Sequence, residues 1–265
     1  MRGGSRLLAR RFATSHNSRL SKIFVGNFVV AKNFGYPKFS QGANLQNYNM
    51  KYSLEHAKKT YRLWGRHPLW YKFACIITFL GQESKLRKLT VEKLELKHGD
   101  TVLDLACGTG LNHKFLEGVV GPDGKIIAFD YSNEMLTAAK QRAKENKWNN
   151  IIFVQGDAAQ LSLDTKVDGV LSTLGISAIP QHKEALKKAV DALKINKIIS
   201  ILDAQLPSGF WSMFNPLIAY VYKHWASWDY TKNMPEDLRQ LISDIKMKQY
   251  NGGTIYIIHG TKNAP

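Results

Sequence analysis

The chain has 265 residues, 44% of them hydrophobic and 22% charged, with a formal net charge of +16. That length supports one α/β domain with additions and a core that needs no covalent staples. Two cysteines exclude a disulfide framework, and eight histidines without ligand spacing to cysteines or acids give no structural metal.

The charge is unevenly placed. Nine of the 37 basic residues and none of the 21 acidic ones lie before Glu55. In residues 1–21, Arg2, Arg6, Arg10, Arg11 and Arg19 alternate with leucines, Phe12 and serines. An arginine- and serine-rich, acid-free start is the composition of a mitochondrial transit peptide, and Arg10-Arg11-Phe12-Ala13-Thr14-Ser15 resembles a matrix-processing site. The expected location is the matrix or the matrix face of the inner membrane. The alternative is a basic arm that binds RNA or anionic lipid. Residues 22–54, rich in Asn, Gly, Phe and Tyr, read as a basic linker or a wrapping segment. Leu69 to Gly81 is apolar but too short for a membrane span and is interrupted by Lys72.

Val102 to Gly110 (VLDLACGTG) carries the most information. An apolar strand enters a small-residue turn, where Gly108 and Gly110 let the backbone reach positive φ and approach a ligand. A helix predicted over Asn112 to Val119 aims free N–H groups at whatever lies over the turn. Lys125 to Asp130 reads as a second buried strand, ending in an acid 26 residues after Asp104. An acid placed there suits a ribose diol. Ser132 caps a helix predicted from Asn133 to Asn146, with Glu134 in its first turn.

Further strands are predicted at Asn150 to Gln155, leading to Gly156-Asp157-Ala158, and at Val167 to Ser172, leading to Thr173-Leu174-Gly175. A helix from Gln181 to Leu193 precedes a strand from Lys197 to Asp203. Ile245 to Tyr250, a Gly252-Gly253 turn and Thr254 to Lys262 read as a β-hairpin. Apolar strands alternating with helices argue for a mostly parallel sheet covered on both faces, a doubly wound α/β domain. The turn could also serve a dinucleotide such as NAD, but that fingerprint wants a third glycine where His113 stands.

From about Tyr61 onward the chain resembles the class I S-adenosylmethionine-dependent methyltransferases, nearest the ubiquinone/menaquinone and lipid branch. VLDLACGTG is similar to the first motif, IIAFDYSNEML to the second and FVQGDAAQL to the third. The resemblance implies a Rossmann-like, seven-stranded sheet closed by a C-terminal antiparallel hairpin. It divides the rest into an N-terminal helical cap (residues 55–98) and a cofactor domain (residues 99–265). S-adenosyl-L-methionine is the implied cofactor. Asp104 would fix the turn and face the methionine amino group, and Gly108 and Gly110 would make room for methionine and ribose. Asp130 would accept from both ribose hydroxyls. Asn133 and Met135 would flank the adenine, Asp157 would accept from its amino group, and the Ala158 N–H would donate to a ring nitrogen. Ala106, Tyr131 and Thr173 complete the implied cofactor set.

Turn sequences differ from the quinone enzymes, which usually carry Gly-Gly-Thr-Gly where this chain has Ala106-Cys107-Gly108-Thr109-Gly110. Tyr61-Arg62-Leu63-Trp64-Gly65-Arg66 instead resembles relatives that methylate lipid headgroups. The Asn-Pro-Pro-Tyr type motif of base amine methyltransferases does not occur after strand four. Cys75 and Cys107 stand at neither position of a cytosine-directed nucleophile. His182 and Asp203, near the ends of strands four and five, are the candidates to border an acceptor, with helix-start and capping roles as the alternatives. Pro207 to Tyr230, with three tryptophans, two phenylalanines and three tyrosines, suits an apolar acceptor such as a lipid or quinone. It suits equally a headgroup-level contact with anionic membrane. The expected protein is a mitochondrial methyltransferase with a small apolar acceptor. The alternatives are an RNA or protein methyltransferase, an accessory or assembly subunit of a mitochondrial complex that keeps the fold, and a relative that transfers the aminocarboxypropyl arm instead of the methyl.

Overall fold

The computed structural model describes residues 79, 81–216, 218–219 and 232–264. The transit segment 1–21, the linker 22–54, most of the cap 55–98 with Cys75, and much of the aromatic stretch 207–230 lie outside the described residues.

Seven strands form one sheet in the order β3-β2-β1-β4-β5-β7-β6. They are β1 (Thr101–Leu105), β2 (Lys125–Asp130), β3 (Ile151–Gln155), β4 (Val167–Thr173), β5 (Leu193–Ala204), β6 (Asp244–Tyr250) and β7 (Ile255–Thr261). The first five are parallel, and β7 runs antiparallel to both β5 and β6. The expected doubly wound α/β sheet with a closing hairpin is therefore present. Strand order reverses between β1 and β4, and the crevice beyond their carboxyl ends is where such sheets hold ligands.

The helices are α1 (Glu83–Glu92), α2 (His113–Val120), α3 (Asn133–Glu145), α4 (His182–Ala192) and α5 (Met234–Arg239). Leu116 and Val120 of α2 and Val91 of α1 pack on Val102, Ile126 and Leu171. Leu136 of α3 packs on Ala128 of the same face. Leu103, Leu105 and Val170 point the other way, into a core with Ala185, Leu186 and Ala189 of α4 and Leu238 of α5. Alternation along β1 thus turns Asp104 toward the start of α2, away from α4.

Most predicted boundaries hold within a residue or two, and β2 coincides with its prediction. The helix after the glycine turn is displaced: Asn112 is its N-cap, and His113 its first residue. β5 starts four residues earlier than predicted, because Leu193 pairs with Val167 before a register irregularity at Val167/Gly169.

Ser132 caps α3 as expected, its Oγ accepting from the Met135 N–H at 3.2 Å. Ser132→Ala should lower stability by about 1 kcal/mol, a fall in Tm of about 2–4 °C by calorimetry.

Candidate functional site

Two loops meet at the point where strand order reverses. After β1, Ala106 (φ 55°), Gly108 (φ 55°) and Gly110 (φ 74°) all take the left-handed conformation; after β4, Leu174 (φ 58°) does the same. Gly108 and Gly110 conform to expectation, whereas Ala106 and Leu174 carry strain that only glycine escapes. A β-carbon on Gly175 would lie 2.5 Å from that of Ala106, so a missing side chain lets the two loops touch. A β-carbon on Gly108 would meet nothing within 4 Å, which marks open space above the turn. Gly110 faces inward, where a β-carbon would come within 2.5 Å of His113 Nδ1.

Asp130 ends β2 beside this turn. Its Oδ2 accepts from the Gly108 N–H at 2.8 Å and its Oδ1 from the Ser132 N–H at 2.9 Å. One carboxylate thereby fixes the glycine turn and the entry to α3. Burial pushes the Asp130 carboxyl above its usual range, against the lowering effect of the N–H groups of Ser132, Gly108 and Tyr131. Along the same edge, the Gly156 N–H donates to the Asp130 carbonyl and the Gln155 amide to the Tyr131 carbonyl. The loops after β2 and β3 are therefore side by side. Asp157 Oδ1 accepts from the Ala159 N–H at 3.0 Å and opens a short 3-10 helix that contains Ala158. Tyr131, Asn133 and Asp157 are exposed here, Met135 is half-buried outside the core, and Ala158 is buried.

Beneath the turn lies a polar hub. Asp104 is fully buried, and its Oδ1 accepts from Asn112 Nδ2 at 2.9 Å. Asn112 Nδ2 also lies 3.0 Å from Thr173 Oγ1. Arg87, on α1, donates to Asn112 Oδ1 at 3.0 Å, to Thr173 Oγ1 and to Glu83 Oε1. Asp104 Oδ2 has no hydrogen-bond partner, with His113 Nε2 at 3.5 Å. Burial raises Asp104 to about 7, opposed by Asn112 and Arg87, and burial lowers His113 to about 4. His113 makes edge contacts with Trp148 and Phe153. Cys107 is a buried free thiol that burial keeps protonated.

The structure therefore gathers Ala106, Gly108, Gly110 and Asp130 around one turn, with Tyr131, Asn133, Met135, Asp157 and Ala158 along the neighbouring strand ends. Asp104 and Thr173 form the floor. His182 and Asp203 are elsewhere engaged. His182 Nε2 pairs with Asp237 Oδ2 at 2.9 Å, tying α4 to α5. Asp203 is buried and accepts from the Ser177 N–H, the Ser177 hydroxyl and the Ala204 N–H; burial raises it to about 6. It fastens the loop after β4 to the end of β5, which matches the structural alternative for this residue. Arg87, Asn112 and His113 are the members that motif reading missed.

The cradle suits a nucleoside with a charged arm. It offers a strand-end carboxylate for a diol, open space over Gly108, and a buried carboxylate oxygen without a partner for a cationic group.

A family model described as a methyltransferase domain matches residues 96–251. A demethylmenaquinone methyltransferase of Oceanobacillus iheyensis is 28% identical over 210 residues, 71% of this chain and 87% of the relative. One from Desulfitobacterium hafniense is 30% identical over 154 residues; the match covers 55% of this chain and spans 61% of that relative's length. In fold, the chain resembles an S-adenosylmethionine-dependent O-methyltransferase of Thermotoga maritima, with TM-score 0.51 at 17% identity, over 68% of this chain and 66% of that one. It also resembles the cyclase SpnF, with TM-score 0.57 at 14% identity, over 69% and 82%.

Proposed function

Because the chain belongs to the class I S-adenosylmethionine-dependent methyltransferase family, near its quinone-methylating branch, we propose that it methylates a small apolar acceptor of quinone-like or lipid character in mitochondria. The observation that carries this reading is the cradle at the β1/β4 crevice, where Asp130, the open face of Gly108 and the orphaned Asp104 oxygen fit S-adenosylmethionine. Relatives named as demethylmenaquinone methyltransferases support the quinone-like acceptor. The acid-free, arginine-rich opening supports the mitochondrial location.

The residues divide the work simply. Asp130 would hold the ribose, Asp157 and the Ala158 N–H the adenine, and Asp104 the ammonium of the methionine arm. The cofactor supplies a sulfonium-activated methyl group, so the protein must chiefly align the acceptor and exclude water. Asp203 accepts three hydrogen bonds, and His182 is held through Nε2 by Asp237 with its unpartnered Nδ1 buried, so an acceptor whose own ionised oxygen makes it nucleophilic suits this site.

The decisive experiment has two stages. Calorimetric titration of the full chain with S-adenosylmethionine and S-adenosylhomocysteine should show micromolar binding. Incubation with methyl-labelled cofactor and a short-chain demethylmenaquinol should then move label into the organic phase. Binding without transfer to quinol, lipid, RNA or protein would favour the accessory-subunit reading. Fold alone does not set the reaction, since a cyclase also has this fold. Transfer of the aminocarboxypropyl arm would appear as product labelled from the carboxyl carbon of the cofactor and not from its methyl.

A further inference from the structure

Large apolar side chains exposed one at a time need no explanation, but a contiguous group does. Among the described residues eight such side chains are exposed, and four of them fall within five consecutive positions: Phe210 (78%), Trp211 (54%), Met213 (65%) and Phe214 (42%). They lie on the 3-10 helix Gly209–Phe214, which buries none of its residues. Among the described residues their rings meet each other, with Phe210 and Trp211 edge to face at 5.7 Å and Trp211 and Phe214 at 6.0 Å between centroids.

This helix is fastened to the sheet. The Gln205 N–H donates to the Thr254 carbonyl and its side chain to the Gly253 carbonyl, each at 2.8 Å. The Asn215 amide donates to the Pro207 carbonyl at 3.2 Å. The Trp211 ring lies 3.9 Å from where a β-carbon on Gly252 would stand, so the aromatic group sits beside the β6–β7 turn. β5 and β6 run in the same direction, both antiparallel to β7. The aromatic group therefore occupies the carboxyl edge of the sheet, the edge that carries Gly108, Asp130 and the cradle.

The flanking sequence carries charge of one sign. The sequence holds no Asp or Glu from Ala204 to Trp228, nor from Ile245 to Pro265. Lys246 and Lys248 are exposed on the edge strand β6, and Lys248 Nζ lies 5.6 Å from the centre of the Tyr250 ring next to the turn. Exposed aromatic rings beside an edge strand that carries lysines match the chemistry of an acyl-chain boundary beneath anionic headgroups.

We propose that Phe210, Trp211, Met213 and Phe214, with Lys246 and Lys248, form a docking face for an anionic lipid bilayer. Docking by this face turns the cofactor edge toward the membrane, where an acceptor dissolved in the bilayer enters without crossing water. The docking itself does not depend on the acceptor assigned above.

The test is cosedimentation of the full chain with phosphatidylcholine vesicles and with phosphatidylcholine–phosphatidylglycerol vesicles, without cofactor or acceptor. The chain should bind the anionic vesicles preferentially. F210S/W211S should weaken that binding by at least about tenfold and K246Q/K248Q by several-fold, with cofactor affinity unchanged in both. The basic N-terminal segment would also attract anionic vesicles, so a local readout is needed. A polarity-sensitive fluorophore attached through Ser212→Cys should shift to the blue on anionic vesicles. No shift, or binding indifferent to F210S/W211S, would overturn the proposal. Self-association abolished by F210S/W211S, without vesicle binding, would assign the face to a second copy of the chain and overturn it as well. Vesicle binding without methyl transfer to a quinol would leave docking intact and count against the acceptor alone.

Discussion

Asp130→Ala should weaken S-adenosylmethionine binding by about tenfold to a hundredfold, the equivalent of roughly 1.5–3 kcal/mol. Two losses combine. The ribose hydroxyls lose acceptors that are charge-assisted and therefore stronger than neutral ones. The Gly108 and Ser132 N–H groups, held by Asp130 at 2.8 and 2.9 Å, lose their common anchor, so the turn is no longer fixed before the ligand arrives. Asp130→Asn separates the two. It keeps one acceptor oxygen but points an amide N–H at one of two backbone donors, and should fall between wild type and Ala. Calorimetric titration reads both variants, with thermal unfolding as the control that the sheet is intact. A dissociation constant unchanged in Asp130→Ala would move the ribose site away from the end of β2.

The elements of the cofactor half were legible because their signals are local. β2 is an apolar run ending in an acid, and α3 begins at a serine whose hydroxyl finds the N–H three residues on. β5 hid its first residues because Lys194, Ile195 and Asn196 are exposed in the irregular stretch between the paired Leu193 and Ile198 and Asn196 has φ of 61°, so no apolar alternation marks them. The glycine turn announced a ligand site, but the network that joins the floor beneath it did not show. Arg87, Asn112 and Thr173 come from three segments, with 25, 61 and 86 residues separating the bonded pairs. No window of sequence contains them together. Asn112 had only a faint signal, a polar residue two places after Gly110 at a helix start. Ala106 and Leu174 gave none, since the strain of a left-handed non-glycine residue appears only when two loops are forced into contact. Motif reading thus named Asp104 and Thr173 of this floor but missed Arg87, Asn112 and His113, which surround them.

The same floor predicts how stability and binding respond to pH. In the unfolded chain, His113 would keep a proton to about pH 6.5 while Asp104 would lose its own near 3.8; in the fold the values are about 4 and 7. Folding therefore moves a proton from the imidazole to the carboxyl. Between about pH 4 and 6.5 the pair holds one proton in either state, and its contribution to the pH dependence of stability cancels. Asp104→Asn removes the carboxyl half and exposes the balance. A raised carboxyl makes the native state bind more protons than the unfolded one, so its contribution to stability falls as pH rises from 3.8 toward 7. The variant escapes that loss. Relative to wild type it should gain about 3 kcal/mol in urea unfolding between about pH 5 and pH 8. Binding should move the other way. An ionised Asp104 attracts the cofactor's ammonium, so wild-type affinity should fall by about tenfold per pH unit below about 7. Asp104→Asn should bind more weakly at neutral pH and lose that slope. Arg87→Met completes the argument. Removing the guanidinium, which lowers the Asp104 carboxyl and occupies Asn112 Oδ1, should cost about 3 kcal/mol of stability. It should also push the pH at which binding is half-lost upward, with affinity recovered at higher pH. A uniform loss of affinity at every pH would reduce Arg87 to a packing role and detach Asp104 from the charge of the cofactor.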